Sequence, residues 1–119
     1  MLTMYSYPLC GTCRKAKKWL DEHAVSYQEI NIAKKPPDRE QLKAIIEKSG
    51  LPVGKFFNTS GKSYRAGGFS QRKKAEPEDK WLDWLAEDGM LIKRPLVFDK
   101  NKATVGFNEQ LFENEWGKV

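Results

Sequence analysis

The sequence predicts an α/β domain whose single sheet is assembled from the two ends of the chain, with a helical insertion between them. Three observations point there. The first 32 residues read strand, helix, strand. Residues 36–90 carry helical periodicity broken by prolines and glycines. The last 25 residues read hairpin, then helix. A strand–helix–strand passage this short implies a parallel pair with a right-handed crossover. The length of 119 residues favours one domain, 1–119, with one core.

Taken in order, Leu2–Tyr7 is the first expected strand and Pro8 stops it. A helix is expected over Gly11–His23, with Ala16, Trp19 and Leu20 on its buried side. Ser26–Ile32 is the second strand. Pro36-Pro37 breaks the chain. Asp38–Ser49 follows as a helix, with Leu42, Ile45 and Ile46 at helical spacing and Gly50 as its stop. Leu51–Gly68 shows no regular pattern. Glu76–Asp88 is the next helix: Trp81, Leu82 and Leu85 form its stripe, and acidic residues and Pro77 sit where a helix start favours them. After Pro95, Leu96–Phe98 and Ala103–Val105 form a hairpin around Asp99–Lys102. Asn108 is placed to cap a final helix, Glu109–Trp116.

Bulk properties narrow the function. Hydrophobic content of 39% and charged content of 31% describe an ordered domain rather than a disordered chain. No apolar run approaches the roughly 20 residues of a membrane span. No basic start followed by an apolar stretch announces a secretory signal. The expected compartment is the cytoplasm, where a disulfide is more often reversible than structural. The net charge of +5 is concentrated in Arg14, Lys15, Lys17 and Lys18, in Lys34-Lys35 and in Arg72-Lys73-Lys74. It reads first as a solvated set of surface cations, with an anionic partner such as an oxyanion, glutathione or an acidic protein surface as the functional alternative. No helix-turn-helix or zinc-finger spacing accompanies it, so direct DNA binding is not expected.

The chemistry concentrates at Cys10-Gly11-Thr12-Cys13. Two cysteines three apart at a helix start lie on one face, with Cα atoms able to approach the roughly 5.5 Å that a disulfide tolerates. The unsatisfied N–H groups of the helix start favour a thiolate at Cys10, and Arg14 or Lys15 adds to this if either turns back. Cys10 is therefore the candidate nucleophile and Cys13 the candidate resolving thiol. Two inert buried cysteines are the competing reading. Zinc fails on ligand count, since His23 is the one further ligand at hand. No bound cofactor or metal is expected. Trp81, Trp84 and Trp116 read as packing, and His23 as a partner for the last carbonyls of its helix.

The paired cysteines between first strand and first helix, the Arg94-Pro95 dipeptide before the hairpin and Val105-Gly106-Phe107-Asn108-Glu109 after it together resemble the thioredoxin fold. They resemble most closely its arsenate-reductase (ArsC-type) and Spx family, on the reductase-like branch whose members often have no assigned substrate. The resemblance spans the whole chain. It implies a cis Pro95 and an Arg94 that faces the cysteines, where it would hold an oxyanion or a thiolate. It implies a reductant drawn from glutathione and glutaredoxin or from thioredoxin. It also carries two functions: a reductase acting on a small oxyanion or a thiol or glutathione mixed disulfide, and an Spx-type regulator that binds the RNA polymerase α subunit and senses redox state through its cysteines. Where the reductases carry further arginines, this chain has Asn58 and Gly106, with Arg65 as a candidate substitute for the first. Tyr64 and Arg65 either line the thiol site or close a loop on the core. The candidate binding set is thus Arg14, Asn58, Arg65 and Pro95 around Cys10, Cys13 and Arg94.

Overall fold

A computed structural model of the chain describes residues 1–117, so residues 118 and 119 of the expected domain span lie outside the described residues. Four strands form one sheet in the order β2-β1-β3-β4: β1 Leu2–Ser6, β2 Tyr27–Asn31, β3 Leu96–Phe98 and β4 Ala103–Val105. β1 runs parallel to β2 and antiparallel to β3, and β3 and β4 form an antiparallel hairpin. This is the thioredoxin-like arrangement. The helices are α1 Gly11–Glu22, α2 Arg39–Ser49, α3 Lys62–Ala66, α4 Phe69–Ala75, α5 Glu78–Glu87 and α6 Glu109–Trp116.

β1 is internal to the sheet, and that explains its composition. Successive side chains of a strand point to opposite faces, and both faces of β1 are covered. Met4 pairs in register with Val97, and both enter a core with Ala16, Trp19 and Leu20 of α1 and Phe112 and Trp116 of α6. Tyr5, in register with Leu96, enters the opposite core. That core is filled by Leu42, Ile45 and Ile46 of α2, Leu82, Trp84 and Leu85 of α5, and Phe56 and Phe57 of the insertion. The result is three layers with the sheet in the middle. Removing a fully buried Leu or Phe side chain of this kind from water contributes about 1.5–3 kcal/mol.

Local chemistry fixes the helix ends. Asp38 and Gln41 form a reciprocal capping box at the start of α2, and Gly50 ends the helix in the left-handed conformation at φ 71°. The Asn108 Oδ1 accepts from the Leu111 N–H at 2.7 Å to start α6. His23 follows α1. Its Nδ1 lies 2.8 Å from the Trp19 carbonyl, its ring stacks on Trp19, and its Nε2 lies 3.3 Å from Glu113 of α6.

The insertion contains more structure than its sequence pattern predicts. Within 51–68 the chain forms a short 3₁₀ turn, Val53–Phe56, and α3, and α4 follows at once. Neither α3 nor α4 has a side-chain N-cap, and α3 buries no residue, so periodicity has nothing to register. α4 is held by Phe69 in the core and by two cations. The Arg72 guanidinium stands 4.3 Å over the Phe69 ring and 4.6 Å over Trp84, and Lys73 Nζ stands 4.5 Å over Phe57. The expected helix from Glu76 begins instead at Glu78, because Glu76 is extended and Pro77 takes the N-cap position.

Two backbone bonds dock the insertion against the segment leading into β3. The Asn58 N–H donates to the Leu91 carbonyl at 2.7 Å, and the Lys93 N–H donates to the Phe56 carbonyl at 2.8 Å. Gly89 lies nearby, and its glycine identity is a matter of space. A Cβ there would sit 2.1 Å from the Ile32 carbonyl oxygen. We expect Gly89→Ala to lower the unfolding free energy by about 1–3 kcal/mol in urea denaturation, the usual cost of overpacking. Gly54→Ala, whose Cβ would meet Trp81 at an ordinary 3.7 Å, serves as the control and stays close to the native chain.

Candidate active site

The site lies at the end of β1, where the chain turns into α1. The turn Tyr7–Cys10 is closed by the Cys10 N–H donating to the Tyr7 carbonyl at 3.0 Å. Cys10 is itself the N-cap of α1: its backbone is extended, and its Sγ accepts from the Cys13 N–H at 3.3 Å. The sulfur thus stands in for the side-chain oxygen that usually caps a helix. The same bond that starts the helix brings a positive partial charge to the thiol.

The two cysteines differ sharply. Cys10 is half-buried. Burial pushes its thiol up, but hydrogen bonds from the Cys13 side chain and backbone, together with the Arg94 cation, hold it below the ordinary cysteine value. Cys13 is 1% exposed. Burial pushes its thiol up to about 12, and the neighbouring Cys10 adds to the shift through its hydrogen bond and charge. One cysteine favours the thiolate and reaches solvent, while the other keeps its proton beneath it.

Arg94 enters from the opposite end of the chain, and the Arg94–Pro95 peptide is cis. Pro95 is buried, and its carbonyl accepts from the Gly106 N–H at 2.9 Å, which ties the start of β3 to the turn after β4. The Arg94 Nη1 reaches the Met90 carbonyl at 3.4 Å, and its guanidinium lies 5.5 Å from the Tyr7 ring. Its Nε is buried and has no hydrogen-bond partner among the described residues.

Cys10 and Arg94 open on a cavity of about 770 Å³. Asn58 is among its lining residues. The other sequence candidates stand elsewhere. Arg14 does not turn back on the thiol; its Nε and Nη2 donate to the Pro8 carbonyl at 3.3 and 3.2 Å, which braces the turn before Cys10. Arg65 is exposed near the end of α3 and is not among the cavity-lining residues. Tyr64 packs edge-on against Phe57, 5.9 Å between ring centres, so it closes the segment onto the core. Pro95 is buried and is not among the cavity-lining residues. Lys62 and Lys93, which no sequence pattern marks, also line the cavity. Lys93 has no periodicity to mark it; its neighbour Arg94 drew attention only through the dipeptide with Pro95. Among the described residues no group of three or more His, Cys, Asp or Glu side chains is placed to hold a metal, and no helix is long and apolar enough to cross a membrane.

Fold and site together define a thioredoxin-like protein with a paired-cysteine centre. Comparison with known proteins narrows this further. The model of the ArsC family matches residues 5–114, and the chain belongs to that family. It is 57% identical to the uncharacterized protein YusI of Bacillus subtilis (strain 168), over 97% of this chain and 98% of that protein. It is 34% identical to the global transcriptional regulator Spx of Enterococcus faecalis, over 92% of this chain and 81% of the regulator. Among solved structures, a protein described as a possible arsenate reductase from Streptococcus mutans superposes with a TM-score of 0.83 at 47% identity, covering 91% of this chain and 92% of that one.

The site predicts its own pH dependence. The thiolate is the alkylated form, so the rate rises with pH through the thiol pKa. For Cys10 the midpoint of iodoacetamide alkylation, followed by intact mass, falls below the ordinary cysteine value, and Arg94→Gln moves it upward. An unchanged midpoint in Arg94→Gln would show that the guanidinium does not act on the thiol.

Proposed function

We propose that the chain is a thiol–disulfide oxidoreductase in which Cys10 is the nucleophile, Cys13 the resolving thiol and Arg94 the group that steadies a thiolate or bound anion. The observation that carries this reading is the asymmetry of the pair: a half-buried, thiolate-favouring Cys10 at a helix N-cap over a buried, protonated Cys13. The Cys10 thiolate attacks one sulfur of a substrate disulfide. That S–S bond breaks, the departing thiolate takes a proton, and Cys10 is left in a mixed disulfide. Cys13 loses its proton, attacks the Cys10 Sγ and displaces the second thiol, which closes the Cys10–Cys13 disulfide. Two electrons have passed to the substrate. A cellular thiol system, glutathione with glutaredoxin or thioredoxin, returns them. A small oxyanion such as arsenate is the other electrophile that suits the site, in keeping with the description of the Streptococcus mutans relative. Such chemistry belongs in the cytoplasm, where thiols are kept reduced.

The relative named as a global transcriptional regulator favours a second reading, the one the family resemblance implies, in which the cysteine pair senses redox state and the chain binds the RNA polymerase α subunit. Redox-dependent capture of the chain by purified α subunit would establish it.

The enzymatic reading is tested by trapping. With bis(2-hydroxyethyl) disulfide, Cys13→Ser accumulates a mixed disulfide at Cys10, visible by intact mass, whereas the native chain passes on to the internal disulfide. Cys10→Ser forms no adduct. Adduct formation on Cys10→Ser at the native rate would refute the assignment. Arsenate-dependent NADPH oxidation, coupled separately through glutaredoxin and thioredoxin, then decides between oxyanion and disulfide as the substrate.

A further inference from the structure

Among the described residues Arg94 is the cation that acts on the Cys10 thiol, through a hydrogen bond and through its charge. A guanidinium on a long stem has many rotamers, so something has to hold it there. No carboxylate among the described residues pairs with it. The group that holds it is Met90. The Arg94 Nη1 donates to the Met90 carbonyl at 3.4 Å and to the Met90 Sδ at 3.9 Å. One residue thus receives the same nitrogen twice, once through its backbone and once through its side chain. The guanidinium carbon also lies 5.5 Å from the centre of the Tyr7 ring.

Met90 is itself fixed. It sits in the short 3₁₀ turn Gly89–Leu91, and its N–H donates to the Asp88 Oδ1 at 2.9 Å. The chain beyond it is tied to the insertion by the bonds from Asn58 to Leu91 and from Lys93 to Phe56. The Met90 side chain is half-buried and lines the same cavity as Cys10 and Arg94. A thioether suits this place. It is an uncharged, weak acceptor that can rest against a guanidinium without neutralising it. A carboxylate here would pair with Arg94 and cancel the charge offered to the thiolate.

We infer that Met90 is a positioning residue of the site: its carbonyl and its thioether together hold one edge of the Arg94 guanidinium and so keep the cation beside Cys10. The inference rests on the role given to Arg94 above and adds the residue that aims it. No redox step passes through Met90. The titratable and charged groups about Cys10 are Cys13 and Arg14 on α1, Arg94 and Lys93 on the segment leading into β3, and Lys62 on α3. Arg14 ends on the Pro8 carbonyl, and of the others Cys13 and Arg94 are the two that act on the thiol.

The test is a double-mutant cycle read by the pH midpoint of Cys10 alkylation with iodoacetamide. Met90→Leu keeps the bulk of the side chain and removes the sulfur acceptor. It is expected to raise the midpoint by about 0.3–0.5 pH unit, the scale of one weak hydrogen bond. Met90→Gln returns an acceptor at similar reach and is expected to bring the midpoint back to the native value or below it. In an Arg94→Gln background, Met90→Leu is expected to move nothing, because Met90 acts only through the guanidinium. A merely structural role predicts a shift that persists without the guanidinium. A midpoint unmoved in Met90→Leu, unrestored in Met90→Gln, or shifted equally in the Arg94→Gln background would overturn the inference and leave the thiol–disulfide reading standing. That reading fails separately, if the native chain forms neither a mixed nor an internal disulfide with bis(2-hydroxyethyl) disulfide.

Discussion

The hydrogen bond from the Cys13 N–H to the Cys10 Sγ, 3.3 Å long, is the interaction on which fold and chemistry both depend. An N-cap must accept from the first turn of its helix, and a nucleophilic sulfur must be held as an anion. One bond does both. It starts α1, and α1 supplies Ala16, Trp19 and Leu20 to the core on that face of the sheet. In return, the start of α1 supplies the partial positive charge that favours the thiolate. The sulfur cannot be lost without also weakening the helix that positions it. Serine is the conservative replacement here, because its hydroxyl still caps while its nucleophilicity is gone.

The rest of the site follows from where β1 sits. With β2 on one side and β3 on the other, the end of β1 that leads to Cys10 lies beside the beginning of β3, since Tyr5 pairs in register with Leu96. Antiparallel pairing therefore carries Arg94 and Pro95 to the cysteines from more than eighty residues away in sequence. The insertion is fastened at the same place by the bonds between Asn58 and Leu91 and between Lys93 and Phe56. Three separate stretches of chain converge on one cavity because the register of a four-stranded sheet leaves them no other place to meet.

Much of this was legible in the sequence, and the exceptions have a common cause. The elements with an apolar stripe and a chemical stop were readable: α2 has its Asp38 cap and Gly50, and α6 has Asn108. The cysteine pair was readable because its spacing is local. The helices α3 and α4 were not, because uncapped helices of five and seven residues carry no periodic signal. Arg14 and Arg65 stand outside the cavity lining for another reason. A cation near the nucleophile in sequence says nothing of where its side chain ends, and Arg14 ends on the Pro8 carbonyl. Lys62 and Lys93 line the cavity for reasons that lie in the tertiary structure, in the docking of the insertion against the segment leading into β3.

The asymmetry of the cysteines also gives the proposed cycle its direction. Burial is the larger cause of the raised Cys13 thiol and persists throughout, but part of the shift comes from Cys10, through its hydrogen bond and its charge. When Cys10 enters a mixed disulfide its sulfur becomes neutral and no longer anionic, and that part is relieved. Cys13 then gives up its proton more readily than it did in the free pair. In the proposed cycle Cys13 is thus held back while there is nothing to resolve and released once the adduct forms. Arg94, which lowers both thiols, favours the anion at whichever sulfur carries it. A guanidinium that cannot lose its proton suits this role, because its charge stays constant while the two sulfurs exchange theirs.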